Sequence, residues 1–523
     1  MAGDIWKYHQ AGQPRKAIYI PPLREPFQAT YHVEISEAFK RHYFPDVQDE
    51  LEEPLPEHRR PDNLFTEEDL WEAYRGMPSN MSPGISGMST RMIGTLMEHH
   101  AITFTRLLNR CVKLGHYPAA LKHTVVAMIK KPKPYDPATP RAYRPICVEE
   151  SLAKLFEQAL TLRLQAYIMP GMYFLPLQHG GRPGASVYSA WHDLYNWLLT
   201  IEDSCIGLVA FDVKGYFDNV DLGQLRHALR LHGVPLYLIQ IIEAFAHNRP
   251  IQFAFNGDRS QWFVKPNCGV PQGSPISPIL ANMAAMPVLH RLQDLPWLRF
   301  YMDDGGLVAS ASTPRRLTNR ISEGLQRIGD EFADTSLTID PDSVQLITFR
   351  HNRRIYSSPS ITWLGIRMDK NLSFTPFVKS RVTAGHSAWS SLEWLTSRFH
   401  GLKARHMQIY YLQILRPVLY WGVPVWYMHL PHLAELLQPV HRRALMRCGG
   451  FLNFTPTTTM ETLLSIPPIW HIKPGFTPEI LQRDVAEWPG EPGRLHHPPG
   501  TGGTHQHYHP GLPTGPLSPQ NAI

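Results

Sequence analysis

The sequence predicts an α+β fold, and three observations support this prediction. Helix-like and strand-like segments alternate between residues 65 and 370, whereas residues 371–470 carry mainly helical periodicity. The run Trp297–Val308 has the pattern of two short strands around a tight acidic turn, which predicts an antiparallel hairpin. A chain of 523 residues with 43% hydrophobic residues can bury the cores of several domains.

Composition narrows the classes of function. The formal net charge of +6 is small, so a nucleic-acid partner would have to meet a local basic surface. The five cysteines are scattered without a Cys-x-x-Cys pair, which argues against a disulfide framework or a zinc knuckle. No apolar run approaches the roughly 20 residues that cross a bilayer. We therefore expect a soluble, intracellular protein with no membrane partner.

The N-terminal part predicts a partly helical leader over residues 1–64, because it contains an amphipathic stretch near Glu34–Tyr43. The next helix is predicted to begin after Thr66. A threonine side chain can cap the first turn, and the acidic run Glu67–Asp69 suits the positive end of the helix dipole.

The last part of the chain predicts a helical region followed by a disordered tail. Within residues 371–470, His406–Trp426 is a long apolar and aromatic stretch, and Leu433–Met446 has the pattern of a basic amphipathic helix. Residues 471–523 are rich in Pro, Gly and His, a composition that cannot form a packed core. The tail histidines have no fold to fix their geometry, so we expect no specific zinc site there.

Three aspartates are candidate metal ligands. Asp212 follows the apolar run Ile206–Phe211, so a carboxylate is expected at the end of a buried strand. Asp303 and Asp304 lie in the predicted hairpin turn, where the two glycines that follow are expected to allow unusual backbone angles. Clustered carboxylates repel one another unless a cation lies between them, which implies an oxygen-seeking divalent metal ion. For the Asp-Asp pair alone, an ordinary solvated turn is the simpler interpretation.

A third segment favours a functional role for the aspartates over an ordinary solvated turn. Cys268–Pro278, which reads CGVPQGSPISP, lies between the two acidic segments and precedes a helix-like run at Ile279–Leu292. In this order the three blocks resemble reverse transcriptases. Phe211–Asp218 looks like their first palm motif, Gly269–Pro275 like their second, and Tyr301–Asp304 like their Tyr-x-Asp-Asp box.

Further segments extend the resemblance over roughly residues 65–370. Met128–Pro132 and Tyr143–Ile146 look like the fingers motif of retrotransposon enzymes, and Gln178–Pro183 looks like the block that follows it. The segment Trp363–Asp369 is similar to the corresponding part of non-LTR (LINE-type) retrotransposon enzymes.

The resemblance implies a fold and an activity. The fold is the right-hand polymerase fold, with fingers and palm in residues 65–370, a helical thumb in residues 371–470, and an antiparallel palm sheet packed on helices. The activity is RNA-directed DNA polymerisation, with an RNA template, a DNA primer and dNTPs as partners. Asp212, Asp303 and Asp304 would be catalytic and would hold two Mg²⁺ ions, with Mn²⁺ as a possible substitute. The nucleus is the location implied by this family.

The resemblance also implies a nucleotide-binding set, and each residue has a simpler alternative. Lys131 and Arg144 would bind the triphosphate, or be ordinary solvated cations. Phe217 would lie under the sugar and favour deoxynucleotides, or be a core aromatic residue. Gln272 and Gly273 would lie beneath the incoming base pair, or form a plain loop.

A hairpin and the thumb are expected to contact the primer. The hairpin residues Trp363, Leu364 and Gly365 would support the primer terminus. Three basic residues could follow phosphates or form a solvated face: Arg442, Arg443 and Arg447.

Two segments depart from the family pattern. Asp340–Ser343 stands where related enzymes typically have Asn-Pro-x-Lys, and a serine cannot protonate the leaving pyrophosphate as that lysine is proposed to do. Met81–Ser86 replaces a Lys-x-Pro-Gly-x-Asp pattern and lacks one charge of each sign. No endonuclease or ribonuclease H segment is recognisable, so we expect a truncated or decayed element product.

Two other hypotheses remain open at this point. A catalytically inactive scaffold could keep the fold only to bind RNA, although retention of all three aspartates argues against it. A group II intron maturase or a telomerase-like enzyme would share the palm but should add its own RNA-binding domain.

Overall fold

The computed structural model describes residues 19–24, 31–44, 55–56, 59–131, 135–168, 177–265, 267–333, 335–349, 358–396, 401–427 and 429–469. The tail predicted at residues 471–523, and much of the leader predicted at residues 1–64, lie outside these ranges. Within them, no helix is both long and apolar enough to cross a membrane. All five cysteines are buried, and none forms a disulfide.

Helices make up most of the described secondary structure. The α-helices are α1 His32–Tyr43, α2 Glu67–Arg75, α3 Thr90–Leu114, α4 Ala119–Lys122, α5 Ser151–Ile168, α6 Val187–Thr200, α7 Leu222–Leu231, α8 Leu236–Ala246, α9 Ser277–Arg291, α10 Pro314–Ala333, α11 Thr375–Ser390, α12 Ala404–Tyr410, α13 Arg416–Tyr420, α14 Val423–Trp426, α15 Gln438–Gly449 and α16 Thr457–Leu463. Short 3₁₀ turns lie at Pro140–Ala142, Pro341–Ser343, Glu393–Thr396 and Pro431–Leu437, and a π-helical turn at Tyr411–Leu415 joins α12 to α13.

The strands form two larger sheets and one hairpin. They are β1 Thr124–Lys130, β2 Tyr143–Val148, β3 Cys205–Lys214, β4 Pro250–Phe255, β5 Asp258–Arg259, β6 Phe263–Val264, β7 Trp297–Tyr301, β8 Asp304–Ala311, β9 Thr338–Ile339, β10 Gln345–Phe349, β11 Ser360–Trp363 and β12 Ile366–Asp369.

The first sheet has the order β2-β1-β4-β5, with β6 also paired to β4. Its strands alternate buried and more exposed residues, as expected for a sheet with one face in a core. Helix α1 covers the buried face: the ring of Phe39 lies 5.8 Å from that of Tyr143 and 5.9 Å from that of Phe253. The hydroxyl of Tyr43 donates to the carbonyls of Pro140 and Tyr143 at 2.7 and 2.6 Å. The helix predicted in the leader is therefore part of this layer.

The second sheet is antiparallel throughout, with the order β10-β3-β8-β7, and β9 pairs with the end of β3. Strand β3 is buried over most of its length. This requires a cover on both faces, which explains why the sequence there is a continuous apolar run.

One face of this sheet packs on helices, and the other packs on a core rich in tryptophan. The helical face belongs to a cluster that includes residues of α2, α3, α5 and α7–α10. On the opposite face the ring of Trp363 lies 5.4 Å from that of Trp191 and 5.9 Å from that of Trp297. Residues of the β11–β12 hairpin and of helices α11–α16 belong to the same cluster. The palm sheet and the helical C-terminal region thus share one hydrophobic core.

Local predictions held where a capping or turn signal was present. Thr66 accepts a hydrogen bond from the backbone N–H of Asp69 at 3.3 Å, and α2 begins at the next residue. The helix predicted at Leu433–Met446 begins later, at Gln438, after a 3₁₀ turn with Pro431 at its start. The stretch His406–Trp426 is not one helix, because Gly422 takes a φ of +81° before α14.

These layers confirm the predicted α+β right-hand fold with an antiparallel palm sheet packed on helices. The exact division at residues 64, 370 and 470 stays a prediction.

A buried ion pair links the first sheet to the helices. The side chains of Arg249 and Glu149 are 1% and 0% exposed and form a salt bridge. Arg249 also donates to Thr124 Oγ1 at 3.0 Å and to the carbonyl of Phe245 at 3.1 Å. Burial raises the pKa of Glu149 well above its usual range, and Arg249 opposes that shift.

We expect Arg249→Met to lower the free energy of unfolding by about 3–5 kcal/mol, because Glu149 would be left buried without its cation. Urea unfolding followed by circular dichroism measures the change. The double variant Arg249→Met/Glu149→Met is the matched control and should lose less, since both charges leave together. Equal losses in the two proteins would contradict this explanation.

Candidate active site

The β7–β8 hairpin presents two aspartates at a tight turn. Tyr301 pairs with Asp304, so Met302 and Asp303 form a two-residue turn. Met302 has a φ of +57°, a conformation that non-glycine residues rarely adopt.

The glycines after the turn have a different role from the one predicted. Gly305 and Gly306 lie in extended strand and do not have positive φ values. A Cβ on Gly305 would overlap the ring of Phe211, and one on Gly306 would lie 3.3 Å from the rings of Trp297 and Trp363. These glycines are needed for space, because large aromatic side chains pack directly against β8.

Strand pairing brings the three predicted ligands together. Asp212 and Asp304 are direct cross-strand partners in the β3–β8 register. The backbone N–H of Val213 donates to the carbonyl of Asp303 at 2.9 Å, which ties the turn to β3. Asp212 does not end its strand as expected, since β3 continues to Lys214 by pairing with β9.

Burial and nearby positive charges have opposite effects on the carboxyl groups around the turn. Desolvation raises the pKa of the Asp303 carboxyl, and a hydrogen bond with Asp212 and the charges of Arg144 and Lys131 oppose this only in part. The two predicted triphosphate-binding cations therefore lie close enough to act on the acidic turn. Burial likewise raises the pKa of Asp218 to about 7, with Lys265 and Lys131 opposing the shift. Sequence reasoning gave Asp218 no role, although it lies in the first palm motif.

The donor set suits a hard divalent cation. All three groups are carboxylates that lie close together at the β7–β8 turn, where a bound cation would relieve their repulsion. No group of three His, Cys, Asp or Glu side chains in the described ranges is already arranged to hold a metal ion. Asp212, Asp303 and Asp304 would thus have to reorient their side chains to share one.

Ser343, at the position where a lysine was expected from the family pattern, supports strand β3 at Asp212. Ser343 Oγ accepts a hydrogen bond from the backbone N–H of Asp212 at 2.8 Å and donates to the carbonyl of Asp340 at 2.6 Å. The N–H of Asp340 in turn donates to the carbonyl of Asp212 at 2.9 Å. Both backbone groups of Asp212 are fixed by this loop, and no pattern in the sequence predicted it.

The same loop binds a cation from the first sheet. Arg141, in the turn between β1 and β2, donates to the carboxylates of Asp340 and Asp342. Its guanidinium lies 5.6 Å from the ring centre of Tyr135, and Lys131 Nζ lies 5.5 Å from the same centre. The salt bridge joins the first sheet to the palm beside Asp212, and sequence reasoning missed it.

The predicted base-pair residues line a common cavity. Phe217, Gln272 and Gly273 lie on the wall of a cavity of about 380 Å³. Gly273 has a φ of +133°, and a Cβ there would lie 2.5 Å from the carbonyl of Cys147, so only glycine fits. Sequence reasoning did not predict the other residues of the wall, which include Gly76, Met77, Pro78, Met81 and Gln158.

A buried hydrogen-bond network supports the loop at Gln272–Ser274. Ser274 Oγ donates to Glu157 Oε2 at 2.6 Å, and Tyr117 Oη donates to Glu157 Oε1 at 3.0 Å. The N–H of Cys147 donates to the carbonyl of Gln272 at 2.8 Å. The loop is thus fixed from α5 and from β2 at the same time.

The predicted primer hairpin exposes its backbone more than its side chains. Trp363 and Leu364 are only 2% and 8% exposed, whereas Gly365 is exposed. The indole N–H of Trp421 donates to the carbonyl of Gly365 at 3.3 Å. A primer at this turn would meet Gly365 and the half-exposed Trp421 rather than the indole of Trp363.

Of the arginines predicted to lie in a thumb, Arg442 forms hydrogen bonds within the C-terminal helical region. Its guanidinium donates to the carbonyls of Asn453 and Thr455 at 2.6 and 2.9 Å and to Thr457 Oγ1 at 2.8 Å. These bonds tie α15 to the loop before α16.

Comparison with known proteins gives a matching family and several relatives. Residues 129–368 match the family model described as reverse transcriptase (RNA-dependent DNA polymerase). The probable RNA-directed DNA polymerase from transposon BS of Drosophila melanogaster is 25% identical over 447 residues, which cover 81% of this chain and 49% of the relative. The RNA-directed DNA polymerase from mobile element jockey of the same species is 24% identical and covers 81% of this chain and 48% of its own length. The chain spans about half the length of these relatives.

A solved structure is similar only remotely. The telomerase from Candida albicans, in complex with a fragment of telomeric RNA, is 12% identical over 72% of this chain and 66% of that chain, with a TM-score of 0.36. A likeness this remote adds nothing to the family match. The family match and the relatives confirm the resemblance predicted from the sequence.

We expect Gly305→Ala to lower the free energy of unfolding by about 1–3 kcal/mol, because the added methyl group must displace the Phe211 ring from under the acidic turn. Gly329→Ala in α10 is the matched control: a Cβ there meets open space, and alanine favours helix by about 1 kcal/mol. Thermal unfolding compares the two proteins. A Gly305→Ala protein as stable as the Gly329→Ala protein would show that the ring is not closely packed against β8.

Proposed function

We propose that this protein is an RNA-directed DNA polymerase. The premise is that residues 129–368 belong to the reverse transcriptase family and that the chain is related to the enzymes of non-LTR (LINE-type) retrotransposons. It extends a DNA primer on an RNA template with dNTPs, in the nucleus. The observation that carries the proposal is the β3–β8 register, which sets Asp212 opposite Asp304 with Asp303 in the adjacent turn.

Asp212, Asp303 and Asp304 are the residues that would hold the two divalent cations, Mg²⁺ or in its place Mn²⁺. When bound, such ions supply charge stabilisation for the attacking primer hydroxyl and the leaving pyrophosphate. Backbone contacts fix two of these residues, from Ser343 to Asp212 and from Val213 to Asp303, while their side chains would still turn toward the ions.

The nucleotide triphosphate is bound between the two sheets. Arg144 is exposed and Lys131 half-buried, and both act electrostatically on Asp303, so their charges face the place where the triphosphate must meet the acidic turn. Arg141 brings a third guanidinium or ammonium group to the loop at Asp340–Ser343, where it is paired with Asp340 and Asp342. A guanidinium stays protonated in proteins, so it can neutralise phosphate but cannot act as the general acid.

Gln272 and Gly273 form the floor beneath the new base pair, and Phe217 selects the sugar from the same wall. A rigid ring beside the sugar leaves no room for a ribose 2′-hydroxyl, whereas a deoxyribose fits. The exposed turn at Gly365, with Trp421 beside it, supports the primer strand.

Purified protein should extend an oligo(dT) primer on poly(rA) in Mg²⁺, and Asp303→Asn should reduce the rate by about 10²–10³-fold or more, the loss usual for one group that stabilises transition-state charge. Asp258→Asn, an exposed aspartate at the start of β5, is the matched control and should keep the wild-type rate. A chain that binds RNA–DNA duplex but does not extend it would be an inactive scaffold.

Replacing Phe217 should change the choice of sugar more than the rate with dNTPs. Phe217→Ala should raise the efficiency of ribonucleotide relative to deoxynucleotide incorporation by about tenfold or more, because the ring no longer occupies the space of the 2′-hydroxyl. Single-nucleotide insertion with dTTP and UTP measures the ratio. Phe217→Tyr keeps the ring and should keep the selectivity. Equal selectivity in the alanine variant would show that Phe217 serves only as a packing residue.

A further inference from the structure

A short segment outside the palm sheet runs beside the catalytic hairpin. The N–H of Phe300 donates to the carbonyl of Leu177 at 2.7 Å, and the N–H of His179 donates to the carbonyl of Phe300 at 2.8 Å. Gln178 is therefore paired beside β7 in parallel orientation, and its side chain is fully buried. A buried amide needs hydrogen-bond partners for both its oxygen and its nitrogen.

The amide of Gln178 finds these partners in the acidic turn. Its Oε1 accepts from the backbone N–H of Met302 at 2.9 Å, and its Nε2 donates to the carbonyl of Met302 at 3.2 Å. One side chain thus binds both backbone groups of the residue that precedes Asp303. Met302 is also the turn residue with the unfavourable φ of +57°, so these bonds stabilise a conformation that the chain does not adopt readily.

Further hydrogen bonds fix the amide itself. Oε1 of Gln178 also accepts from the N–H of Gly180 at 2.9 Å. Asn282 of α9 donates to the carbonyl of Gly180 and accepts from the hydroxyl of Tyr216, both at 2.8 Å. A Cβ on Gly180 would overlap Met302, so the segment can approach the turn this closely only with glycine there.

We infer that Gln178 is the positioning residue of the metal site: by binding the N–H and carbonyl of Met302 it sets where the Asp303 carboxylate lies. This inference rests on the proposed function, in which Asp303 holds a divalent cation. Residues that orient metal ligands without touching the metal commonly change metal affinity about 10- to 100-fold when replaced.

The chain contains a matched control for a purely structural role. Asn109 is also buried, and it makes the same two bonds to one backbone residue: Oδ1 accepts from the N–H of Phe65 and Nδ2 donates to its carbonyl, both at 2.8 Å. This pair lies at the start of α2, among residues that are not in the acidic turn.

The test compares Gln178→Met, which keeps the length of the side chain but has no amide, with Asn109→Leu. Two quantities are measured on the full chain: hydrogen exchange of the Met302 amide, and Mn²⁺ affinity from the electron paramagnetic resonance of free Mn²⁺. Gln178→Met should exchange the Met302 amide about tenfold faster, the factor that corresponds to one lost hydrogen bond. It should also weaken Mn²⁺ binding about 10- to 100-fold, and Asn109→Leu should change neither quantity.

The outcomes separate the inference from the proposed function. Unchanged Met302 exchange in Gln178→Met, or an equal loss of Mn²⁺ affinity in Asn109→Leu, would overturn the inference. Equal Mn²⁺ affinity in the wild-type protein and in Asp303→Asn would overturn the proposed metal site, even if hydrogen exchange of the Met302 amide still depended on Gln178. If Gln178→Met does not fold, Gln178→Asn, which keeps the amide but is too short to reach Met302, should give the same two changes.

Discussion

The pairing of β3 with β8 is the constraint on which the rest of the site depends. It sets Asp212 opposite Asp304, and a slip of one residue would move one carboxylate to the other face of the sheet. The register is fixed by packing on both faces: Phe211 fills the space over Gly305, and Trp297 and Trp363 fill the space over Gly306. The placement of the aspartates is thus a consequence of core packing, because large rings on β3, β7 and β11 match glycines on β8.

Clustered carboxylates repel one another, which destabilises this arrangement. Hydrogen bonds from the surrounding structure to the backbone stabilise it. Ser343 and Gln178 come from distant parts of the chain, and each binds backbone groups at an aspartate-bearing segment rather than the carboxylates themselves. The backbones of Asp212 and Met302 are thereby fixed. Positive charge comes from the first sheet, where Lys131 and Arg144 act on Asp303 and Arg141 binds Asp340 and Asp342. A small net charge is therefore compatible with a strongly polarised cleft.

Buried polar contacts join the first sheet and the loop at Ser274 to the helical core. Glu157 holds the loop at Ser274, and the Arg249–Glu149 pair links the first sheet to the same helical core. Such groups are costly to bury away from their partners, so these contacts favour one relative placement of sheet and helices. In the proposed function, the nucleotide binds between parts whose separation is set by these contacts and by the Arg141 salt bridge.

The sequence by itself predicted the resemblance to reverse transcriptases, the α+β fold, the proximity of the three aspartates and the helix that begins after Thr66, because each depends on residues close together in the chain or on motifs in a fixed order. It also placed Phe217, Gln272 and Gly273, which do line one cavity, and it leaves their roles as predictions. Only the tertiary structure decided what the glycines after the acidic turn are for, that Trp363 is buried, and that Ser343, Arg141 and Gln178 meet the segments around the three aspartates. Gln178 lies more than a hundred residues from Met302 in the chain. Contacts across such separations are set by how sheets and helices pack, so the local periodicity of the sequence does not predict them.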